Sequence, residues 1–200
     1  MSSSQAGRAR RHGKLIVITG PSGAGKTSIC RALLEQLPDT VWSVSVTTRP
    51  LRPGDVPGES YHFVARPEFE AKEAAGEFLE AAEYVGHRYG TPRRPVEEAV
   101  ASGRNVILEI DVQGGMQVAV RRPDSVRIFV LPPSPESLRA RLEGRATEVE
   151  EQLARRLAKA DGEIAAARDS GHYPYFVVND VLETTIEEVK RIIEKETQQA

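Results

Sequence analysis

Eight consecutive residues, Gly20-Pro21-Ser22-Gly23-Ala24-Gly25-Lys26-Thr27, have the types and spacing of a loop built to hold phosphate. Glycines let successive backbone N–H groups turn onto an anion without side-chain clash. A helix starting behind them presents its unpaired N–H groups and positive dipole end to the same charge. Lys26 adds a mobile cation suited to the β- and γ-phosphates of a nucleoside triphosphate, and the Thr27 hydroxyl is of the kind that ligates Mg²⁺. The string gains specificity from its context, because the β-branched run KLIVIT at residues 14–19 reads as a buried strand and residues 28–36 read as a helix.

Further groups could complete such chemistry. Glu109 and Asp111 close a second apolar run, where acids can orient Mg²⁺ through water, so Thr27, Glu109 and Asp111 form the expected metal set. Arg49 and Arg52 sit in a proline-bounded loop, TTRPLRPGD, a poor place for core packing and a good one for guanidinium forks that grip phosphate. Arg141 and Arg145 are four apart, and Arg156 lies eleven beyond Arg145, which supplies cations for two highly negative substrates. Tyr61 and Tyr89, taken alone, read as amphipathic packing. Cys30 reads as a small buried hydrophobe, and the four histidines have no metal-ligand spacing with it or each other.

The elements that must position these groups alternate. Apolar runs at residues 14–19, 105–110, 125–131 and 175–178 read as strands, and residues 28–36, 95–102, 113–121, 136 onward and 182–195 read as helices. That alternation argues an α/β fold with a parallel sheet flanked by helices. Residues 45–91 interrupt it with Pro- and Gly-punctuated sequence, a short helix near 68–75 and the strand-like FLEAAEYVGHRYG, and are expected to form an inserted small sheet. Residues 138–160 read as two helices broken at 144–147.

Two hundred residues with 40% hydrophobic and 28% charged side chains describe an ordinary globular chain. Lys and Arg number 27 against 29 Asp and Glu, so no global basic field points to nucleic acid or an anionic membrane. The first 13 residues carry Arg8, Arg10 and Arg11 without an apolar h-region and read as a disordered basic tail rather than a secretory signal. A single cysteine and no long apolar run fit a cytoplasmic chain without membrane partner, acting as a monomer or small homo-oligomer.

With the phosphate loop in place, SVSVTTRPLRPGDVPGESYHF at residues 43–63 resembles the acceptor signature of the guanylate kinases. FLEAAEY with Glu80, HRYGTP with Tyr89 and Thr91, EIDVQG with Asp111, and LEGRATE follow in the family's order. The resemblance covers residues 13–197 and implies a P-loop fold with a core (14–44, 92–137 and 161–200), a GMP-binding subdomain (45–91) and a helical lid (138–160). It implies ATP and GMP, with dGMP as second acceptor, as substrates, Mg²⁺ as cofactor and Lys26, Arg49, Arg141, Arg145 and Arg156 as catalytic cations. Arg49, Arg52, Tyr61 and Tyr89 would hold the acceptor phosphate; Ser45, Glu80, Thr91 and Asp111 would read guanine; Asn179 in VND would approach the donor base. Asp55, Glu109 and Ala146 depart from the family's usual Glu, Asp and Gly. Two other activities remain open: a ribose 1,5-bisphosphate kinase, favoured by loss of the guanine-reading set, and a non-catalytic phosphopeptide-binding module.

Overall fold

The structure, a computed structural model, describes residues 12–143 and 150–198. In chain order the elements are β1 (Leu15–Thr19), α1 (Lys26–Gln36), β2 (Thr40–Trp42), β3 (Val46–Thr47), β4 (His62–Phe63), α2 (Arg66–Ala74), β5 (Phe78–Tyr84) and β6 (His87–Pro92). There follow α3 (Arg93–Ala101), β7 (Asn105–Glu109), α4 (Val112–Arg121), β8 (Val126–Leu131), α5 (Pro135–Glu143), α6 (Glu150–Asp169), β9 (Tyr175–Val178) and α7 (Leu182–Gln198).

Five strands pair all-parallel in the order β2-β7-β1-β8-β9, with β1 at the centre. Alternation along β1 explains why it is apolar throughout. Ile16 and Ile18 face a layer containing Ile29 and Leu33 of α1 and Val189 and Ile193 of α7, whereas Leu15 and Val17 face Val96 and Val100 of α3 and Val118 of α4. β2 was not foreseen; its three residues are too few for a periodic signal.

The second sheet, ordered β4-β3-β6-β5, lies within the insertion expected at 45–91, and its last strand runs on to Pro92. β5 and β6 form an antiparallel hairpin whose turn, Val85–Gly86, has positive φ at both residues (51° and 75°), the geometry that suits Asn-Gly and strains a β-branched side chain. Phe69 of α2 stacks on Phe78 of β5, and Gly90 is bare because a Cβ there would meet both rings.

Helix boundaries shift in one place that matters. α1 begins at Lys26 rather than Ser28, because Gly25 takes a left-handed φ of 92° and frees the chain to turn directly into the helix, so Lys26 and Thr27 belong to its first turn. α6 continues to Asp169, so residue 160 is no element boundary. Arg145, Ala146 and the expected break at 144–147 lie outside the described residues. Among the described residues no helix is long and apolar enough to cross a membrane.

Candidate functional site

At the carboxyl edge of the parallel sheet, the β1–α1 loop and the cleft-facing side of the second sheet enclose a cavity of about 370 Å³. The loop supplies its floor. Gly20, Gly23 and Gly25 all have positive φ, and a Cβ on Gly20 would strike the Val130 carbonyl, so glycine is required for the approach to β8. Lys26 folds over this floor, its Nζ donating to the carbonyls of Gly20 (2.7 Å) and Pro21 (3.0 Å). Burial pushes its pKa down, opposed chiefly by Glu109, so the ammonium is held in a place where an added anion would favour its charge.

Beside it the Thr27 hydroxyl donates to Glu109 Oε1 at 2.7 Å, which brings together two of the three groups in the expected metal set. Asp111 has a role that sequence reading missed: it is the N-cap of α4, its Oδ1 accepting from the Gly114 N–H at 2.8 Å. The signal was present in the acid standing just before the helical segment. One carboxylate oxygen of Asp111 is thereby engaged, while the residue still lines the cleft.

The opposite wall belongs to β5 and β6. Their register pairs Glu80 with Thr91, Ala82 with Tyr89 and Tyr84 with His87, which puts all six side chains on one face. Glu80 is only 3% exposed, and its Oε1 accepts from the Thr91 hydroxyl at 2.6 Å. Burial raises its pKa to about 7, with Asp111 adding to the rise and the Thr91 bond opposing it. Thr91 itself is fully buried behind Glu80.

At the mouth, Arg49 is 6% exposed, its guanidinium bidentate on Asp55 (2.9 and 3.1 Å) and 5.3 Å from the Tyr61 ring centroid. The Arg52 backbone N–H also donates to Asp55, at 2.7 Å. Asp55 therefore ties the loop closed, and the guanidinium holds its carboxyl below the usual range. Two bonds to Asp55 and one to the Pro50 carbonyl engage the guanidinium, so the fork is fixed rather than filled. Tyr61 and Tyr89 meet edge to face at 5.8 Å, and Ser45 and Arg52 line the same cleft.

Two expected donor-side groups lie elsewhere. Arg141 and Asn179 line a neighbouring cavity of about 310 Å³ that shares Gly23 and Gly25 with the first. The Asn179 side-chain amide donates to the Ala24 carbonyl at 2.7 Å, and the Asn179 backbone carbonyl accepts from Arg141 at 2.8 Å. Arg156, on α6, reaches the Ser22 hydroxyl at 3.0 Å. Pro21 and Ala24 are buried within the loop and contribute backbone alone.

A model of the guanylate kinase family matches residues 12–196. The chain belongs to the guanylate kinase family. It is 52% identical over 181 residues to a guanylate kinase of Symbiobacterium thermophilum, covering 90% of this chain and 84% of that one. It is likewise 52% identical over 185 residues to that of Rubrobacter xylanophilus, covering 92% and 95%. The fold resembles a crystal structure of guanylate kinase from Anaplasma phagocytophilum with a TM-score of 0.77 at 34% identity, covering 94% of this chain and 87% of that one.

Within this guanylate kinase fold the cleft holds residues the sequence reading passed over. Tyr84 and His87 flank the hairpin turn, and Glu163 comes from α6. Period-two spacing from Glu80 would have found Tyr84, and i+7 from Arg156 would have found Glu163. Cys30 is fully buried, and burial pushes its thiol pKa well up, as expected of an inert packing residue.

Proposed function

We propose that this chain transfers the γ-phosphoryl group of ATP to GMP and dGMP, giving ADP and GDP or dGDP. One observation carries the reading: a buried carboxylate, Glu80, held by the Thr91 hydroxyl, lines the same cleft as a glycine-built phosphate loop. Guanine presents adjacent N1–H and N2–H₂ donors that one carboxylate can accept together. Adenine turns an acceptor toward the same oxygens and leaves them unpaired, which discriminates by roughly 10⁴.

In this reading residues 45–91 bind GMP, with Ser45 and Asp111 beside Glu80 and Thr91 at the base, and Arg49, Arg52, Tyr61 and Tyr89 at the phosphate. Asp55 presets the Arg49 fork, so little side-chain entropy is lost when phosphate arrives. The acceptor phosphate has a second pKa near 6 and is largely dianionic at neutral pH, so its oxygen attacks without a general base. Rate then comes from positioning and cations. Lys26 exchanges its two loop carbonyls for phosphate oxygens, the loop N–H groups grip the donor, and Arg141, Arg145 and Arg156 approach from the lid. The lid also excludes water, which would otherwise compete for the γ-phosphoryl group. Asn179 stands beside the donor loop, where it would approach the adenine.

Mg²⁺ fits this donor set as a substrate-borne ion. Among the described residues no cluster of three His, Cys, Asp or Glu could hold a metal. A hydroxyl bonded to a single carboxylate suits an ion that keeps its waters and takes its remaining ligands from phosphates. Thr27 would hold it directly, with Glu109 and Asp111 acting through water, and the ion would neutralise charge on the transferring group.

The test is ADP formation from Mg·ATP with GMP, dGMP, AMP, CMP, UMP or ribose 1,5-bisphosphate, against a no-acceptor control. Turnover confined to GMP and dGMP is expected. Turnover only with the sugar phosphate, or tight GMP binding without turnover, sinks the proposal.

A further inference from the structure

Arg156, Lys159 and Glu163 lie at i, i+3 and i+7 on α6 and so share one face of the helix. That face touches both halves of the cleft. Arg156 bonds to Ser22 of the phosphate loop, whereas the Lys159 ammonium stands 3.4 Å from the centroid of the Tyr84 ring, at the end of β5. Its other partner, the Glu163 carboxylate, is more distant at 3.9 Å, and the Glu163 side chain is only 11% exposed where it borders the cleft. Tyr84 is braced from behind by Tyr89, the two rings meeting edge to face at 6.4 Å. An ammonium over the face of a fixed ring is attracted by its quadrupole.

We propose that Lys159 is a positioning residue that fastens α6 to the tip of the β5–β6 hairpin through the Tyr84 ring, coupling the donor-side cation Arg156 to the acceptor sheet. The proposal rests on the GMP kinase reading above. Lys159 touches no substrate group itself; it acts by holding the helix one turn beyond Arg156. With the contact made, seating of the acceptor sheet also seats the helix that carries a phosphate-directed arginine.

The experiment compares kcat/KM for GMP, in the presence of saturating Mg·ATP, for the parent chain, Lys159→Met, Lys159→Arg, Tyr84→Leu and the Lys159→Met/Tyr84→Leu double variant, with a thermal midpoint for each. Lys159→Met keeps the stem and removes the charge, and the side chain is exposed enough for the variant to fold. Lys159→Met and Tyr84→Leu should each lower kcat/KM about two- to fivefold, the range a partly solvated cation–π contact supports. The double variant should fall no further than the single ones, and Lys159→Arg should stay close to the parent. Equal activity of Lys159→Met and parent overturns the proposal. So do multiplicative losses in the double variant, failure of Lys159→Arg to rescue, or losses that follow the thermal midpoint instead of the presence of cation and ring. A parent chain without GMP-dependent turnover overturns the underlying function, an outcome visible before any variant is made.

Discussion

In the proposed reading the two walls of the cleft hold a charged nucleotide by different means. On the parallel-sheet side the work is done by backbone: glycines with positive φ, the start of α1, and carbonyls that park the Lys26 ammonium. On the second sheet it is done by side chains held in pairs, Glu80 with Thr91 and Arg49 with Asp55. Backbone N–H groups suit phosphate, which every nucleotide carries. A pair such as Glu80–Thr91 suits the base, where donor and acceptor order must be told apart, and Arg49–Asp55 presents a fixed fork to the acceptor's own phosphate. Breaking the first wall should therefore cost rate, and breaking the second should cost choice of acceptor.

The strongest test of that division is Lys26→Ala. Turnover should fall by about 10³-fold or more while GMP affinity, measured by titration, moves less than about threefold. An unchanged turnover number would remove Lys26 from phosphoryl transfer. Next in size, Glu80→Gln should lower kcat/KM for GMP by about 10²-fold, because one oxygen becomes an N–H₂ that opposes the guanine donors. An unaltered GMP dependence would contradict base reading by this wall. Asp55→Ala should raise the GMP KM about tenfold by releasing the Arg49 fork, and leave the ATP KM in place; a matched rise in both would show that the loop serves the whole cleft.

Acidity gives a comparison within one residue. Glu80 has a folded pKa of about 7 against 4.5 for the unfolded group, so the ligand-free fold binds more protons than the unfolded chain between those values. The contribution of this group to stability is accordingly lost as pH rises from about 4.5 to 7. Guanine donors favour the ionised form, so GMP affinity should run the other way, rising about tenfold from pH 6 to pH 8. Glu80→Gln supplies the control, since the slope that remains in it belongs to the substrate phosphate. Parallel slopes in the two proteins would show that Glu80 does not titrate on binding. The smallest effect concerns the hairpin turn: Val85→Asn should stabilise the fold by about 0.5–1 kcal/mol, read as a higher denaturant midpoint, because Asn accepts positive φ where Val does not.

The legibility of this chain in its sequence follows the same division. The phosphate loop could be read residue by residue, since its chemistry is written in eight adjacent positions. The parallel sheet could be read from β-branched runs, except for β2, whose three residues carry no period. Arg49 and Arg52 could be read from their proline-bounded loop, whereas Glu80 and Thr91, eleven positions apart, were singled out only by resemblance to a family. What neither route gave was pairing: that Asp55, noted as a departure, clamps Arg49, that Asp111 caps α4, or that Lys159 meets Tyr84. Such contacts depend on how distant segments are brought together, and no local pattern records them.

Asn179 ties the phosphate loop to a distant part of the chain. Its backbone N–H joins β8 at Leu131, and its side-chain amide supports the carbonyl of Ala24, so the loop is braced by a residue 155 positions further along the chain. α7, later still, covers the outer side of α1 with Ile186, Val189 and Ile193. A nascent chain emerges from its N-terminus. Until Asn179 is free, the growing chain carries a complete phosphate motif without the hydrogen bond that braces it. By topology alone, the shaping of the phosphate loop thus waits on a segment made long after the loop itself.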